Sequence, residues 1–173
     1  MKLGILLTMT VLLAFGGLLV IAYGGEKEVW KDPNSGLTWQ VNPTGDRISW
    51  NNAKSHCQNL SLGGYSDWRL PTVSELRSLI RGCPQTEKAG SCRVTDSCSD
   101  HSCWNDSCSG CLLMGGPAPG GAYWPSELSG KISWYWSSLT VGDSINGAWL
   151  VSYHYASVVP TLVYNECGVR CVR

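Results

Sequence analysis

The sequence predicts an α+β fold in which two helices pack on a small antiparallel sheet beside a long, disulfide-rich loop. Three observations lead to this prediction. Segments 49–60 and 72–81 carry apolar residues at the spacing of one helical face. Short β-branched and aromatic segments, bounded by turn residues, lie near both ends of residues 25–173. Six of the nine cysteines fall in the stretch 83–121, which shows no period.

The N-terminal residues 1–24 have the pattern of a secretory signal peptide. Lys2 precedes an uncharged apolar run from Leu3 to Tyr23, and Ala22-Tyr23-Gly24 supplies small residues for cleavage after Gly24. The run is also about 20 residues long, which is the length of a membrane-spanning helix, so an uncleaved anchor is the alternative. In both cases the basic N-terminus stays inside and residues 25–173 cross the membrane. We therefore expect a secreted, periplasmic or cell-surface domain.

The exported part is expected to be one domain that does not bind nucleic acid. Its length is 149 residues (173 minus 24), which suits a single domain. Without Lys2 it holds 12 basic residues (13 minus 1) against 13 acidic residues, so no strongly basic surface is expected. Over the whole chain, nine Trp and seven Tyr against one Phe favour half-buried strands and ligand surfaces, because the Trp and Tyr rings combine an apolar body with a polar tip.

Residues 25–41 are predicted to form a β-hairpin, and residues 49–60 a helix. In the hairpin, two short strand segments flank Asp32-Pro33-Asn34-Ser35-Gly36, whose residues favour turns. Ser49 stands at the capping position of the helix, and Gly63-Gly64 follows its end. The apolar face of this helix consists of Trp50, Ala53, Cys57 and Leu60.

The second helix is predicted to begin at Thr72. Pro71 disfavours helical structure at the preceding residue, so Asp67-Trp68-Arg69-Leu70 is expected to be extended. Thr72 and Glu75 form a capping-box pattern, in which each side chain bonds a free backbone N–H of the other residue. The apolar face consists of Val73, Leu76, Leu79 and Ile80, and Gly82 ends the helix.

The C-terminal part is predicted to be rich in β-strands. This part begins with Trp134-Tyr135-Trp136, a cluster that is more typical of a core than of a ligand site. Strands are then predicted at 148–155, 158–164 and 169–172. Pro160 lacks a backbone N–H, which favours a sheet edge or a bulge for its strand. The side chains of 148–155 alternate, with Trp149, Val151, Tyr153 and Tyr155 on one side and Leu150, Ser152 and His154 on the other.

The insertion loop 83–121 is expected to be held by disulfides. Its cysteines are Cys83, Cys92, Cys98, Cys103, Cys108 and Cys111. Three bridges would each stabilise the fold by about 2–4 kcal/mol, which offsets the entropy of so long a loop. The alternative is a zinc site with Cys108-x-x-Cys111 as a half-site near His101 and Cys103. Irregular spacing and an oxidising compartment favour disulfides, whose connectivity the sequence leaves open.

Five motifs in a fixed order resemble one protein family. They are Asp32–Trp39, Trp50-x-x-Ala53 leading to Cys57, Asp67–Thr72 followed by Glu75-Leu76, Tyr135–Ser138, and Val169–Arg173. Across residues 28–173 they are similar to the family named after the C-terminal domain of the Legionella collagen-like protein, long catalogued as a domain of unknown function.

The resemblance implies a variant of the C-type lectin fold, with two helices beside a small, twisted antiparallel sheet. It implies an exported protein without a known active site. The namesake domain is an adhesin module that binds sulfated glycans. Related lectin-fold proteins are variable targets of diversity-generating retroelements, with altered ligand-facing residues on their C-terminal strands. It also implies a bridge between Cys57 and Cys171. Cys167 is then left unpaired if the loop cysteines pair among themselves, and it is free or joins two chains unless the pairing differs.

Residues with calcium-binding character occur in the insertion loop. Trp104-Asn105-Asp106 copies the calcium element of sugar-binding C-type lectins, in which Asn105 and Asp106 would offer oxygen ligands. A chance tripeptide in a loop rich in Asp, Ser and Cys is the favoured interpretation, and we expect no cofactor. A structural calcium ion among Asp96, Asp100 and Asp106 is the alternative.

No catalytic motif is recognisable, and we expect no enzymatic activity. His56, His101 and His154 lack the context of a nucleophile and its base. The enzyme alternative is an oxidase of the sulfatase-modifying type, which has a distantly similar fold and needs a copper-binding cysteine pair. Cys167 and Cys171 on one strand would lie about 13 Å apart, at roughly 3.3 Å per residue.

The predicted ligand surface lies on the C-terminal strands and nearby loops. If Trp149, Val151 and Tyr153 face the core, the opposite side forms a patch of Asp143, Asn146, Leu150, Ser152, His154, Ser157, Val159 and Thr161. We therefore expect an exported ligand-binding or adhesion-type module for extracellular glycans or protein partners, which meets a membrane only through its N-terminal segment. A structural envelope protein with an ordinary solvated sheet face is the alternative.

Overall fold

The computed structural model describes residues 27–43 and 45–173. The predicted signal peptide or anchor, residues 1–24, lies outside this described part. Among the described residues, none of the helices has the length and apolar character that crossing a membrane requires. The described chain combines two α-helices, two small antiparallel sheets and four disulfides, which confirms the predicted α+β class.

The predicted N-terminal hairpin is present. Strands β1 (Val29–Lys31) and β2 (Thr38–Gln40) pair antiparallel, with Trp30 opposite Trp39. The carboxylate of the buried Asp32 accepts hydrogen bonds from the backbone N–H of Asn34 at 3.0 Å and from the hydroxyl of Ser35 at 2.6 Å. This local network holds the turn closed, as the turn-forming sequence predicted.

Both predicted helices are present and shorter than predicted. Helix α1 spans Trp50–Gln58 and buries Ala53 and Cys57; Ser49 occupies its N-cap position without a side-chain cap bond. Helix α2 spans Val73–Ser78. At its start the hydroxyl of Thr72 accepts from the Glu75 backbone N–H at 3.2 Å, and the Glu75 carboxylate accepts from the Thr72 N–H at 2.8 Å. The capping box is therefore confirmed.

The larger sheet consists of β3 (Trp134–Thr140), β4 (Gly147–Ser152) and β5 (Ser157–Leu162), hydrogen-bonded in that order. Its antiparallel register places Trp136, Leu150 and Val159 in one row across the three strands. Pro160 lies on the edge strand β5, where its missing N–H removes no interior hydrogen bond. The edge placement predicted for Pro160 is confirmed.

This sheet is covered on both faces, so the described chain has two apolar cores. On one face, Trp149, Val151 and Tyr153 pack with α2, and the Tyr153 hydroxyl donates to the Leu76 carbonyl at 2.9 Å. On the other face, Trp136, Ala148 and Leu150 pack with Ala53 and Cys57 of α1 and with Cys171. All six residues of β4 are consequently buried.

Two predictions about the C-terminal strands are wrong. Leu150 and Ser152 were expected on a solvent-facing side, but they are 3% and 0% exposed, and Leu150 packs in the second core. Residues 169–172 were expected to form a strand. Instead Val172 makes isolated antiparallel bridges to Trp39 and Arg69, which anchor the C-terminal segment between the hairpin and the start of α2.

The disulfides follow the expected pairing. Cys57 of α1 is bonded to Cys171, which closes the domain over a separation of 114 residues. The six loop cysteines form three concentric bridges, Cys83–Cys111 around Cys92–Cys108 around Cys98–Cys103. The zinc half-site is wrong because both of its sulfur atoms are already used in bridges. Four disulfides indicate an oxidising or extracellular environment.

Two buried arginines connect loops to the body of the domain. The guanidinium of Arg77 donates to the backbone carbonyls of Thr86, Val94 and Glu87 in the insertion loop. The guanidinium of Arg170 donates to the carbonyls of Gln40 and Val41, both at 2.6 Å, and to that of Ser129 at 2.7 Å. Burial lowers the pKa of both side chains. Each arginine thus satisfies carbonyls that irregular backbone would otherwise bury unpaired.

Candidate ligand-binding groove

A groove of about 900 Å³ opens at the β5 edge of the larger sheet. Its floor carries Leu150 from β4 and Ser157, Val159 and Thr161 from β5. These four side chains share one face because Leu150 lies opposite Val159 and successive odd positions of β5 point the same way. The α1 core covers the β3 side of this face, and the β5 side remains open.

The first wall of the groove comes from the insertion loop. Trp104 and Ser109 line it, and the Trp104 indole N–H donates to the Val158 carbonyl at 3.0 Å. That bond uses a carbonyl on the outer side of the edge strand. The concentric disulfides hold this part of the loop, since Cys108 is bonded to Cys92 and the Cys111 N–H donates to the Tyr155 carbonyl at 2.6 Å.

The second wall comes from the chain that follows β5. Tyr164, Asn165, Glu166 and Cys167 line it together with Arg47. The Nε of Arg47 donates to the Glu166 carbonyl at 2.9 Å, which ties the two segments together. The lining therefore holds one cationic and one anionic side chain, Arg47 and Glu166, and is close to neutral as a whole.

Aromatic rings are exposed around the groove. Trp134, Tyr155 and Tyr164 are 38%, 38% and 65% exposed, so each ring offers an apolar face with a polar tip to a molecule in the groove. The His154 ring lies between two of them, with its centroid 6.0 Å from that of Trp134 and 6.5 Å from that of Tyr155. Burial lowers the pKa of His154 below its usual value, so the imidazole is neutral at pH 7.

Cys167 contributes a thiol to the groove. It is the free cysteine that remains after four bridges, and its residue is 4% exposed. Burial raises the pKa of the thiol, an effect that the nearby Arg47 guanidinium partly opposes. The thiol is therefore protonated at neutral pH and is a weak nucleophile there.

Four of the eight predicted ligand residues line the groove: Leu150, Ser157, Val159 and Thr161. His154 supports Trp134 at its rim, and Ser152 is buried beside it. Asp143 and Asn146 are not among the lining residues. The Asp143 carboxylate accepts from the backbone N–H and the Nδ1 of His101 at 2.9 and 2.8 Å, and these bonds lower its pKa. The Asn146 carbonyl accepts from the Val163 N–H.

Several groove residues differ from what the sequence pattern predicts. Tyr155 was placed on the core side of its strand, but β4 ends at Ser152 and the following turn directs Tyr155 to the groove. Trp134 was assigned to the core together with its neighbours; Tyr135 and Trp136 are buried and Trp134 is not. The chain carries no local signal for Arg47 or Trp104, because tertiary packing brings both to the groove.

The carboxylates of the insertion loop lie apart from one another. Among the described residues, no three or more His, Cys, Asp or Glu side chains are grouped so that they could hold a metal ion, and this includes Asp96, Asp100 and Asp106. The Asp96 carboxylate instead accepts from the Ser74 backbone N–H at 3.0 Å, and the Asn105 amide donates to the Ser91 carbonyl at 3.0 Å. These side chains hold the insertion loop in place.

Every groove residue falls within one family match. Residues 28–173 match the sequence profile of the Lcl C-terminal domain. The chain belongs to the Lcl C-terminal domain family. The resemblance carried by the five motifs is thus confirmed over the same residues. No curated protein matches the chain. In this Lcl C-terminal domain the groove lies between the insertion loop and the segment that leads from β5 to Cys171, which is bonded to Cys57.

Proposed function

We propose that this Lcl C-terminal domain is an exported binding module that holds an extracellular glycan, or a protein ligand, in the groove beside β5. The observation that carries the proposal is the groove itself, a concave site of about 900 Å³ with exposed aromatic rings and few charges. Ligand sites of proteins are typically concave, of roughly 300–1,000 Å³, and mostly apolar with a few polar groups that orient the ligand. The two helices beside a small antiparallel sheet, with a long loop on one side, also support the proposal that the domain is a variant of the C-type lectin fold.

A glycan suits the lining better than a strongly charged ligand does. The rings of Trp134, Tyr155 and Tyr164 offer flat apolar faces, and Ser157, Thr161 and Asn165 offer hydrogen-bonding groups. Because the charges of Arg47 and Glu166 offset each other, the groove does not select for sulfate or other anions by charge. We expect neutral sugars to bind more tightly than sulfated ones.

Binding would be tested on an array of neutral and sulfated glycans with the disulfide-intact protein. Val159→Arg places a long charged side chain on the groove floor, and we expect it to abolish binding to every glycan that the wild type retains. The matched control is Tyr65→Ala, which removes an exposed tyrosine that packs on Arg173 instead of lining this groove. Full retention of binding by Val159→Arg would rule out the groove as the ligand site.

The proposal assigns the domain no catalytic step. An oxidase of the sulfatase-modifying type needs two cysteines at one copper site, but the sulfur of Cys171 is bonded to Cys57. Cys167 alone is free, with a raised thiol pKa. If neither the array nor a surface-protein screen yields a ligand that depends on the groove, a purely structural envelope role replaces the proposal.

A further inference from the structure

One buried hydroxyl next to the groove has no hydrogen-bond partner. Ser152 is 0% exposed, and its Oγ is one of three buried side-chain polar atoms without a partner among the described residues. Such atoms are rare in folded proteins, and each one is unfavourable because its bond to water has been lost. The other two, on Trp39 and Arg170, lie in the other core and in the carbonyl network described above.

The sheet register shows that Ser152 faces the groove side. It pairs with Trp134 on β3 and with Ser157 on β5, and both of these neighbours line the groove. Side chains directly opposite each other on adjacent strands lie on the same face. The adjacent Tyr153 points into the opposite core, where its hydroxyl reaches Leu76. The Ser152 side chain therefore lies on the groove face of the sheet, below its surface and between the side chains of Trp134 and Ser157.

Trp134 is the exposed residue that lies opposite Ser152 across the strand pair. It is the first residue of β3, it is 38% exposed, and the aromatic ring it contacts is that of His154, edge to face at 6.0 Å. Trp134 belongs to neither apolar core, so a change of its rotamer would leave both cores intact. Turned away from Ser152, the indole would present its face to the groove.

We propose that the Trp134 end of the groove is a subsite for one neutral pyranose unit. One face of the sugar ring stacks on the outward-turned indole, and two sugar hydroxyls bond the Oγ atoms of Ser152 and Ser157. A pyranose combines an apolar C–H face with hydroxyls at its edge, which matches an indole standing beside two serines. This inference rests on the proposed function and names the chemistry of its ligand.

The test uses the full disulfide-bonded domain with ¹⁵N-labelled tryptophan. Methyl glucoside, galactoside, mannoside and N-acetylglucosaminide would be titrated while the indole N–H resonances are followed, with Trp134 assigned through Trp134→Phe. We expect at least one sugar to shift the Trp134 signal. In Ser152→Ala the affinity for that sugar falls by roughly 2- to 12-fold, the equivalent of one net hydrogen bond.

The stability of Ser152→Ala separates a ligand-binding role from a structural one. Because the hydroxyl has no partner in the free protein, its removal leaves the melting temperature unchanged or raised. The control is Ser55→Ala on the exposed side of α1, which should leave sugar affinity unchanged. A lowered melting temperature for Ser152→Ala would show a structural partner and overturn the subsite.

The remaining outcomes separate this inference from the proposed function. If a sugar shifts Trp104 but leaves Trp134 unmoved, or if Ser152→Ala binds as tightly as the wild type, the subsite is wrong and the groove still stands as a binding site. If no sugar shifts any indole and Val159→Arg changes no ligand on the array, both proposals fail.

Discussion

Removal of the Cys57–Cys171 bridge is expected to cost the fold more than removal of any bridge in the insertion loop. The bridge closes a loop of 114 residues, for which the chain-entropy relation predicts a stabilisation of about 4.8 kcal/mol at 25 °C. Because the Cys83–Cys111 bridge shortens the chain path between Cys57 and Cys171 by 28 residues, the stabilisation predicted for the Cys57–Cys171 bridge falls only to about 4.6 kcal/mol. The innermost bridge, Cys98–Cys103, spans 5 residues and gives about 2 kcal/mol.

The assay is denaturant unfolding of two double variants under non-reducing conditions, followed by tryptophan fluorescence. Cys57→Ala with Cys171→Ala should lower the free energy of unfolding by about 4–5 kcal/mol, and Cys98→Ala with Cys103→Ala by about 2 kcal/mol. The second pair serves as the matched control, because it removes the same atoms from a much shorter loop. Equal losses in the two variants would refute the loop-entropy reasoning.

Three further predictions concern charged and titratable groups. Arg170→Met removes the donor to three backbone carbonyls, which then stay buried without a hydrogen bond. The free energy of unfolding should therefore fall by about 3 kcal/mol in denaturant melts. The control is Arg47→Met at an exposed position, which should change the free energy of unfolding little. Burial alone would raise the pKa of Glu75, but the hydrogen bonds from Arg69 and from the Thr72 N–H hold it below its usual value. This carboxylate therefore stabilises the fold above about pH 4.5 and loses that effect as the pH falls through its lowered pKa. Glu75→Gln removes the ion pair with Arg69 and should cost up to about 1 kcal/mol at pH 7. It should also flatten the acid limb of a stability-against-pH curve, and an unchanged limb would contradict this assignment. Cys167 should react slowly with a thiol reagent in the folded protein and rapidly in guanidinium, with one thiol counted per chain; fast labelling of the folded state would show that the groove exposes it.

The features predicted correctly from the sequence depend on residues close together in the chain. The Asp32 turn, the Thr72–Glu75 capping box and the edge position of Pro160 each follow from the chemistry of a few adjacent residues. The Cys57–Cys171 bridge is a long-range contact, and it was predictable only through the family resemblance. The concentric order of the loop bridges was open, because spacing alone does not select one pairing.

The incorrect predictions arose where a second layer covers the sheet. The alternation along β4 correctly placed Trp149 and Leu150 on opposite faces of the sheet. Because Ser152, on the same face as Leu150, is polar, that face was expected to be solvated. Whether that face is solvated depends on α1 and the C-terminal segment, which are distant in sequence. The same reason explains the groove: Trp104 reaches Val158 across 54 positions, and Arg47 reaches Glu166 across 119. Hydrophobic periodicity carries no information about such contacts.

The concentric bridges also have a consequence for how the protein matures. A chain that is exported N-terminus first presents its cysteines in numerical order, so an oxidase acting during translocation would join Cys57 to Cys83 before their partners Cys171 and Cys111 emerge. Among the four final pairs, only Cys98 with Cys103 joins neighbours in that order. Early pairs must then be broken by thiol exchange. We expect the yield of correctly bonded protein to depend on a disulfide isomerase in the compartment where the domain folds.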